Sequence, residues 1–98
     1  MAQHQAEDHH TALVEKMLHT GGFSHLRARK RGNAIIVESG PQSDPMKHLR
    51  LRRDSAQLWG LDIADHRDRW ERTPYREQLE DLVHVVIDDF PWTLAGAF

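Results

Sequence analysis

The pair Gly32-Asn33 stands between two extended runs, residues 25–31 (HLRARKR) and 34–39 (AIIVES), and constrains the fold more than any other stretch. Two residues of this kind between two strands make a hairpin, with glycine in the first positive-φ position of a type II′ turn. So short a loop also sets the register: Arg31 opposite Ala34, Lys30 opposite Ile35, Arg29 opposite Ile36, Ala28 opposite Val37 and Arg27 opposite Glu38. Side chains alternate across a strand, so one face holds Leu26, Ala28, Ile35 and Val37, a surface fit for a core. The other face collects His25, Arg27, Arg29 and Arg31, with Ile36 and Glu38 beside them.

After the polar stretch ESGPQSDP, residues 46–53 and 57–63 predict a second hairpin across Asp54-Ser55. Two registers compete. A two-residue loop sets Arg50 opposite Trp59 and turns Trp59, Leu61 and Ile63 toward the arginine side. A three-residue loop that includes Ala56 sets Leu51 opposite Trp59 and Leu49 opposite Leu61, gathering the large apolar groups on the core face. At about 25 cal/mol per Å² of apolar surface removed from water, the second register is favoured by several kcal/mol.

Two helices flank these strands. Leu13, Val14, Met17 and Leu18 recur at helical spacing, and Gly21-Gly22 offers a left-handed stop. Further on, Thr73-Pro74 reads as an N-cap followed by proline at the first helical position. Tyr75, Leu79, Leu82, Val83, Val86, Ile87 and Phe90 then form an apolar stripe, with Glu77, Glu80, Asp81, His84 and Asp88 opposite. Pro91 ends that helix, and the segment beyond is expected to fold back so that Trp92 and Leu94 close the core. Trp59 and Trp70 are likewise expected in the core or at its rim. Residues 1–8 carry no apolar periodicity and read as a flexible tail, leaving residues 9–98 as a single domain. The expected architecture is α+β: a four-stranded antiparallel sheet of two hairpins with both helices against one face, order α-β-β-β-β-α, in two layers.

Function is written less clearly than fold. The chain of 98 residues carries 13 Lys+Arg against 15 Asp+Glu, a net charge of −2, which weighs against a dedicated nucleic-acid binder. The charges are unevenly placed, however: bases concentrate in residues 27–69, and acids outnumber bases from Glu71 onward. Arg27, Arg29 and Arg31 on strand one, with His48, Arg50 and Arg52 on strand three, share one sheet face in either register. Such a face can track phosphates, meet the carboxylates of a protein partner, or simply be solvated. Ile36, apolar and flanked by arginines on an open face, suits the seam of a homodimer.

Other chemistry is poorly supported. Asp62, Asp65, His66 and Asp68 offer metal-ligand types, but Arg67 and Arg69 lie among them and would repel a cation. The spacing of that cluster matches no metal loop, and of the eight histidines His4, His9 and His10 sit in or beside the tail, where a metal site would lack rigid geometry. No catalytic residue, metal or cofactor is expected. The sequence has no cysteine, no apolar run long enough to span a bilayer and no signal-peptide pattern, which points to the cytoplasm. The expectation is a small non-catalytic protein-interaction module, self-associating as a homodimer, that uses Arg27, Arg29, Arg31, Ile36, His48, Arg50 and Arg52. The alternative is a nucleic-acid-binding protein that contacts phosphates through the same arginines.

Overall fold

A computed structural model describes residues 5–54, 58–65, 67 and 69–94. They form helix α1 (Asp8–Thr20), strands β1 (Arg27–Arg31), β2 (Ala34–Ser39), β3 (Met46–Arg53), β4 (Trp59–Ala64) and β5 (Trp70–Glu77), helix α2 (Leu79–Asp89), and a 3-10 turn at Pro91–Leu94. The strands make one antiparallel meander, β1-β2-β3-β4-β5. Val14 and Leu18 of α1 and Leu82, Val83 and Val86 of α2 pack in one core with Ile35, Val37, Leu49, Leu51, Trp59 and Leu61. Both helices thus cover the same face, giving the expected two-layer α+β fold with five strands instead of four.

The first hairpin has the register its turn dictates, pair for pair from Arg27 opposite Glu38 to Arg31 opposite Ala34, and Gly32 takes φ +61°. The second hairpin differs. Leu51 faces Leu61 and Arg53 faces Trp59, two residues away from the favoured pairing. A shift of two preserves which side chains share a face, so Trp59 and Leu61 still join Leu49 and Leu51 in the core. The connection is longer than expected because Asp54 closes it. Its amide donates to the Leu58 carbonyl at 2.8 Å, and its carboxylate accepts the Leu58 amide at 3.1 Å. Ser55 and Ala56, central to the expected short loop, lie outside the described residues.

Thr73-Pro74 does not open a helix. It lies inside β5, an edge strand, where a residue that cannot donate to the ladder is tolerated. The β4–β5 pairing is irregular at this level, between Gly60 and Asp62. Thr73 Oγ1 donates to the Leu61 carbonyl at 2.8 Å, so a hydroxyl supplies a hydrogen bond that the proline nitrogen cannot. Helix α2 begins only at Leu79, and Tyr75 reaches the core from the strand, edge-on to Phe90 with ring centroids 5.2 Å apart.

Helix α1 starts earlier than its apolar spacing suggests. Glu7 and His10 form a reciprocal capping box around its first turn. At the other end Gly22 takes φ +99°, and the amides of Phe23 and Gly22 return to the carbonyls of Leu18 and His19, a Schellman closure. Residues 5–7, within the expected tail, are docked, while residues 1–4 of that tail lie outside the described residues. Ala6 is buried and donates its amide to Gly32 O at 2.9 Å, and Arg53 donates to Gln5 O at 2.9 Å. At the far end Leu94 is buried as expected, whereas Trp92 is 67% exposed and closes nothing.

Candidate anion-binding face of the sheet

The helices leave the other face of the sheet to the side chains that alternate away from the core. Following the ladder across the strands, Arg29 stands beside Ile36, then Arg50, then Asp62, then Arg72. One row further, Arg31 stands beside Ala34, Arg52 and Gly60. At the other end Arg27 lies beside Glu38, and Glu38 beside Lys47. The bases expected from strands one and three, Arg27, Arg29, Arg31, Arg50 and Arg52, are therefore brought together.

Two carboxylates brace them. Glu38, 3% exposed, accepts Arg27 Nε at 3.1 Å on one oxygen and Arg29 Nε at 2.9 Å on the other. Asp62, fully buried, accepts Arg50 Nε at 2.9 Å and is gripped from two sides by Arg52, whose Nη2 lies 3.0 Å from Oδ1. Burial alone would raise the Asp62 pKa. The hydrogen bonds and charges of Arg52 and Arg50 outweigh it and hold the carboxyl below its ordinary range. The Asp62 bond in turn raises the pKa of Arg52. Gly60 makes room for this: a Cβ there would stand 3.3 Å from Arg52 Nη2. Each triad keeps one excess positive charge in fixed geometry, with N–H groups left over for a ligand.

Between the triads lies a recess of about 340 Å³. Ala34 and Ile36 line it together with Arg29, Arg31, Asn33, Lys47, Arg50, Arg52 and Trp70. The Arg50 guanidinium carbon sits 4.8 Å from the centre of the Trp70 ring, a cation–π contact that holds both side chains. Among the described residues, Arg31 and Arg72 have no carboxylate partner, so their charge is the most available to an incoming anion. Chemically the recess can bind negative charge on several guanidinium donors and accept an apolar or planar group.

Three expected members of the site lie elsewhere or differ in role. His48 is not on this face. Leu49 pairs with Val37 while Lys47 pairs with Glu38, so β3 carries one extra residue, and the alternation inverts at His48. Lys47 takes its place outside, and the imidazole turns toward the helices, 4% exposed. There Nδ1 donates to Thr93 O at 2.9 Å and Nε2 accepts the Ser39 hydroxyl at 2.7 Å. Burial lowers the His48 pKa, the nearby His25 adds to this, and the Thr93 bond opposes it. His25 likewise leaves the arginines to bond Leu94 O at 2.8 Å. Ile36 is on the face but 4% exposed, its edges covered by its arginine neighbours, so it offers no apolar seam.

Trp70, Arg72 and Lys47 were not anticipated here, and Trp70 is not a core group. The first two depend on β5, a strand disguised as a charged loop and a helix start. The metal-ligand types are otherwise engaged. Asp62 is held by arginines, Asp65 Oδ1 accepts the amides of Arg67 and Arg69 at 2.8 and 2.9 Å, and His66 and Asp68 lie outside the described residues. Glu7, His9 and His10 do converge within 4.8 Å. His10 Nδ1 nevertheless accepts the Glu7 amide at 3.0 Å, so its lone pair is committed to the helix cap, and Arg53 lies 3.5 Å from the Glu7 carboxylate.

Fold and site together define a two-layer α+β protein with a braced, basic open sheet face. No protein-family model, curated protein or solved structure matches the chain. No helix among the described residues is long and apolar enough to cross a membrane.

Proposed function

We propose that the protein is a small non-catalytic interaction module that holds an anionic partner against the outer face of its sheet. The observation that carries this reading is the pair of Arg–carboxylate–Arg triads around one recess. A merely solvated face has no need to bury two carboxylates and order four guanidiniums, because burying an ion pair gains little stability over apolar packing. Ordering the donors in advance reduces the entropy a partner must overcome on docking. Among the described residues that line the recess there is no His, Cys, Ser, Asp or Glu, which supports a role in holding charge rather than moving a proton.

Protein carboxylates and phosphates both match this chemistry, and a second copy of the chain is one source of carboxylates. Self-association through an apolar Ile36 seam loses its support once Ile36 is buried. Pairing by strand edges loses support too. The outward amide of Ala28 on β1 is taken by the Glu15 carboxylate at 2.9 Å, and Pro74 interrupts β5. What remains is attraction by charge.

The test uses Arg31→Glu with Arg72→Glu, two exposed arginines outside the triads. Titrating the full chain with polyglutamate and with a short single-stranded oligonucleotide, at low and at physiological salt, should show binding of at least one that weakens with salt. The double variant should lower that affinity by about tenfold or more while its thermal unfolding is retained. Equal binding by both proteins, or none by either, overturns the reading.

A further inference from the structure

The recess carries more information than its charge. Ala34 and Ile36 lie beneath it, both nearly fully buried, with arginines on either side. One side is aromatic, because Arg50 is fixed over the Trp70 indole. Arg31 and Lys47 line it from opposite ends of the ladder. A simple carboxylate would engage only the cations and make no use of the indole. Inorganic phosphate would do the same and would fill only part of about 340 Å³.

A ligand that uses every element has a planar, weakly polar part and a dianionic part a few ångströms away. We infer that the recess takes a nucleoside phosphate unit, its base against the Trp70–Arg50 pair and its phosphate oxygens toward Arg31 at the other end. This inference rests on the reading of the sheet face as an anion-docking surface. Stacking on an aromatic side chain is tolerant of base identity, so one site serves a free nucleotide or a nucleotide within a single strand. The guanidinium fork suits phosphate as well as carboxylate, so the base, not the anion, distinguishes the ligand.

The experiment is a calorimetric titration of the full chain at low salt with ADP, tripolyphosphate, a single-stranded oligonucleotide of eight residues and polyglutamate. ADP should bind at least about tenfold more tightly than tripolyphosphate despite its lower charge, and Trp70→Leu should erase that preference while leaving tripolyphosphate binding intact. Arg31→Glu should weaken both. The indole N–H resonance of Trp70 in the unaltered protein, followed by NMR, should move on addition of ADP and stay put with tripolyphosphate, which covers a Trp70 variant that does not fold. An oligonucleotide far tighter than ADP identifies a strand as the source, comparable affinities identify free nucleotide, and either supports the site. ADP no tighter than tripolyphosphate, or a Trp70 resonance that does not move, overturns the nucleoside assignment. The anion-docking reading then still stands if polyglutamate or tripolyphosphate binds in a manner abolished by Arg31→Glu, and falls with it if neither binds.

Discussion

A carboxylate with no exposure to water, such as Asp62, persists in the outer layer of a sheet only where other groups replace its hydration, and Arg50 and Arg52 do so. Removing the charge leaves two guanidiniums facing each other across an unfilled site. Asp62→Asn should therefore cost about 2–3 kcal/mol at neutral pH. That is below the range for a fully buried pair, because each arginine is about a quarter exposed and can turn to water. The sign of the pH dependence follows from the lowered pKa. The folded protein holds Asp62 ionised at pH values where the unfolded chain takes up a proton, so the stabilisation is complete above about pH 4 and is lost as the pH falls below it. Urea unfolding of both proteins from neutral to acid pH should show the gap narrowing in that window; a gap constant with pH would contradict the ionic account. The arginines on this face were legible from alternation alone, since Arg27, Arg29 and Arg31 need only the Gly32-Asn33 turn. Asp62 was not legible, because its place beside Arg50 follows from a ladder displaced by two residues, and face parity does not reveal such a shift.

At the scale of elements, the same dipeptide can satisfy two structures, and packing decides between them. Thr73-Pro74 meets every local condition for opening a helix, yet residues 70–77 pair with β4, because a fifth strand extends the sheet under α2 and brings Tyr75 to Phe90. The hydroxyl that would have capped a helix caps the gap in the ladder instead. Thr73→Val, nearly isosteric, leaves the Leu61 carbonyl without that donor and should cost about 1–2 kcal/mol. Amide exchange should rise along residues 70–77 more than along β2; an unchanged melting temperature would remove the hydroxyl from the account. The bulge in β3 was equally hidden, since a period of two carries no mark of the residue at which it inverts. His48 therefore read as a neighbour of Arg50, although Lys47 holds that place and His48 anchors the Pro91–Leu94 turn through Thr93. The bodies of the helices and their C-terminal ends, at the diglycine and at Pro91, were legible because their periodicity runs longer than any strand's, whereas both N-termini fell elsewhere.

The whole molecule is a two-layer body with opposite charge on its two sides. The open sheet face gathers arginines, and α2, packed on the other side, exposes Glu80, Asp81, Asp88 and Asp89 to solvent. That separation was visible as a charge gradient along the sequence, and the fold turns it from a gradient along the chain into one across the body. In the proposed reading, the acidic side of one copy is one candidate partner for the basic side of another. Such a contact would be heterologous: each copy would keep one free basic and one free acidic side, so association would run on as an open chain rather than close as the symmetric dimer expected from an Ile36 seam. Exposed charges at contact distance are strongly screened at physiological salt. Sedimentation should accordingly show an average mass that grows with protein concentration at low salt and returns to the monomer at physiological salt. The variant Arg31→Glu with Arg72→Glu should stay monomeric throughout, and so should Glu80→Lys with Asp81→Lys. Mixed together, the two variants should recover salt-sensitive association, because each retains the attracting side that the other has lost. A mass that plateaus at two copies for the unaltered protein would instead reveal a closed, isologous interface and rule out the stacking.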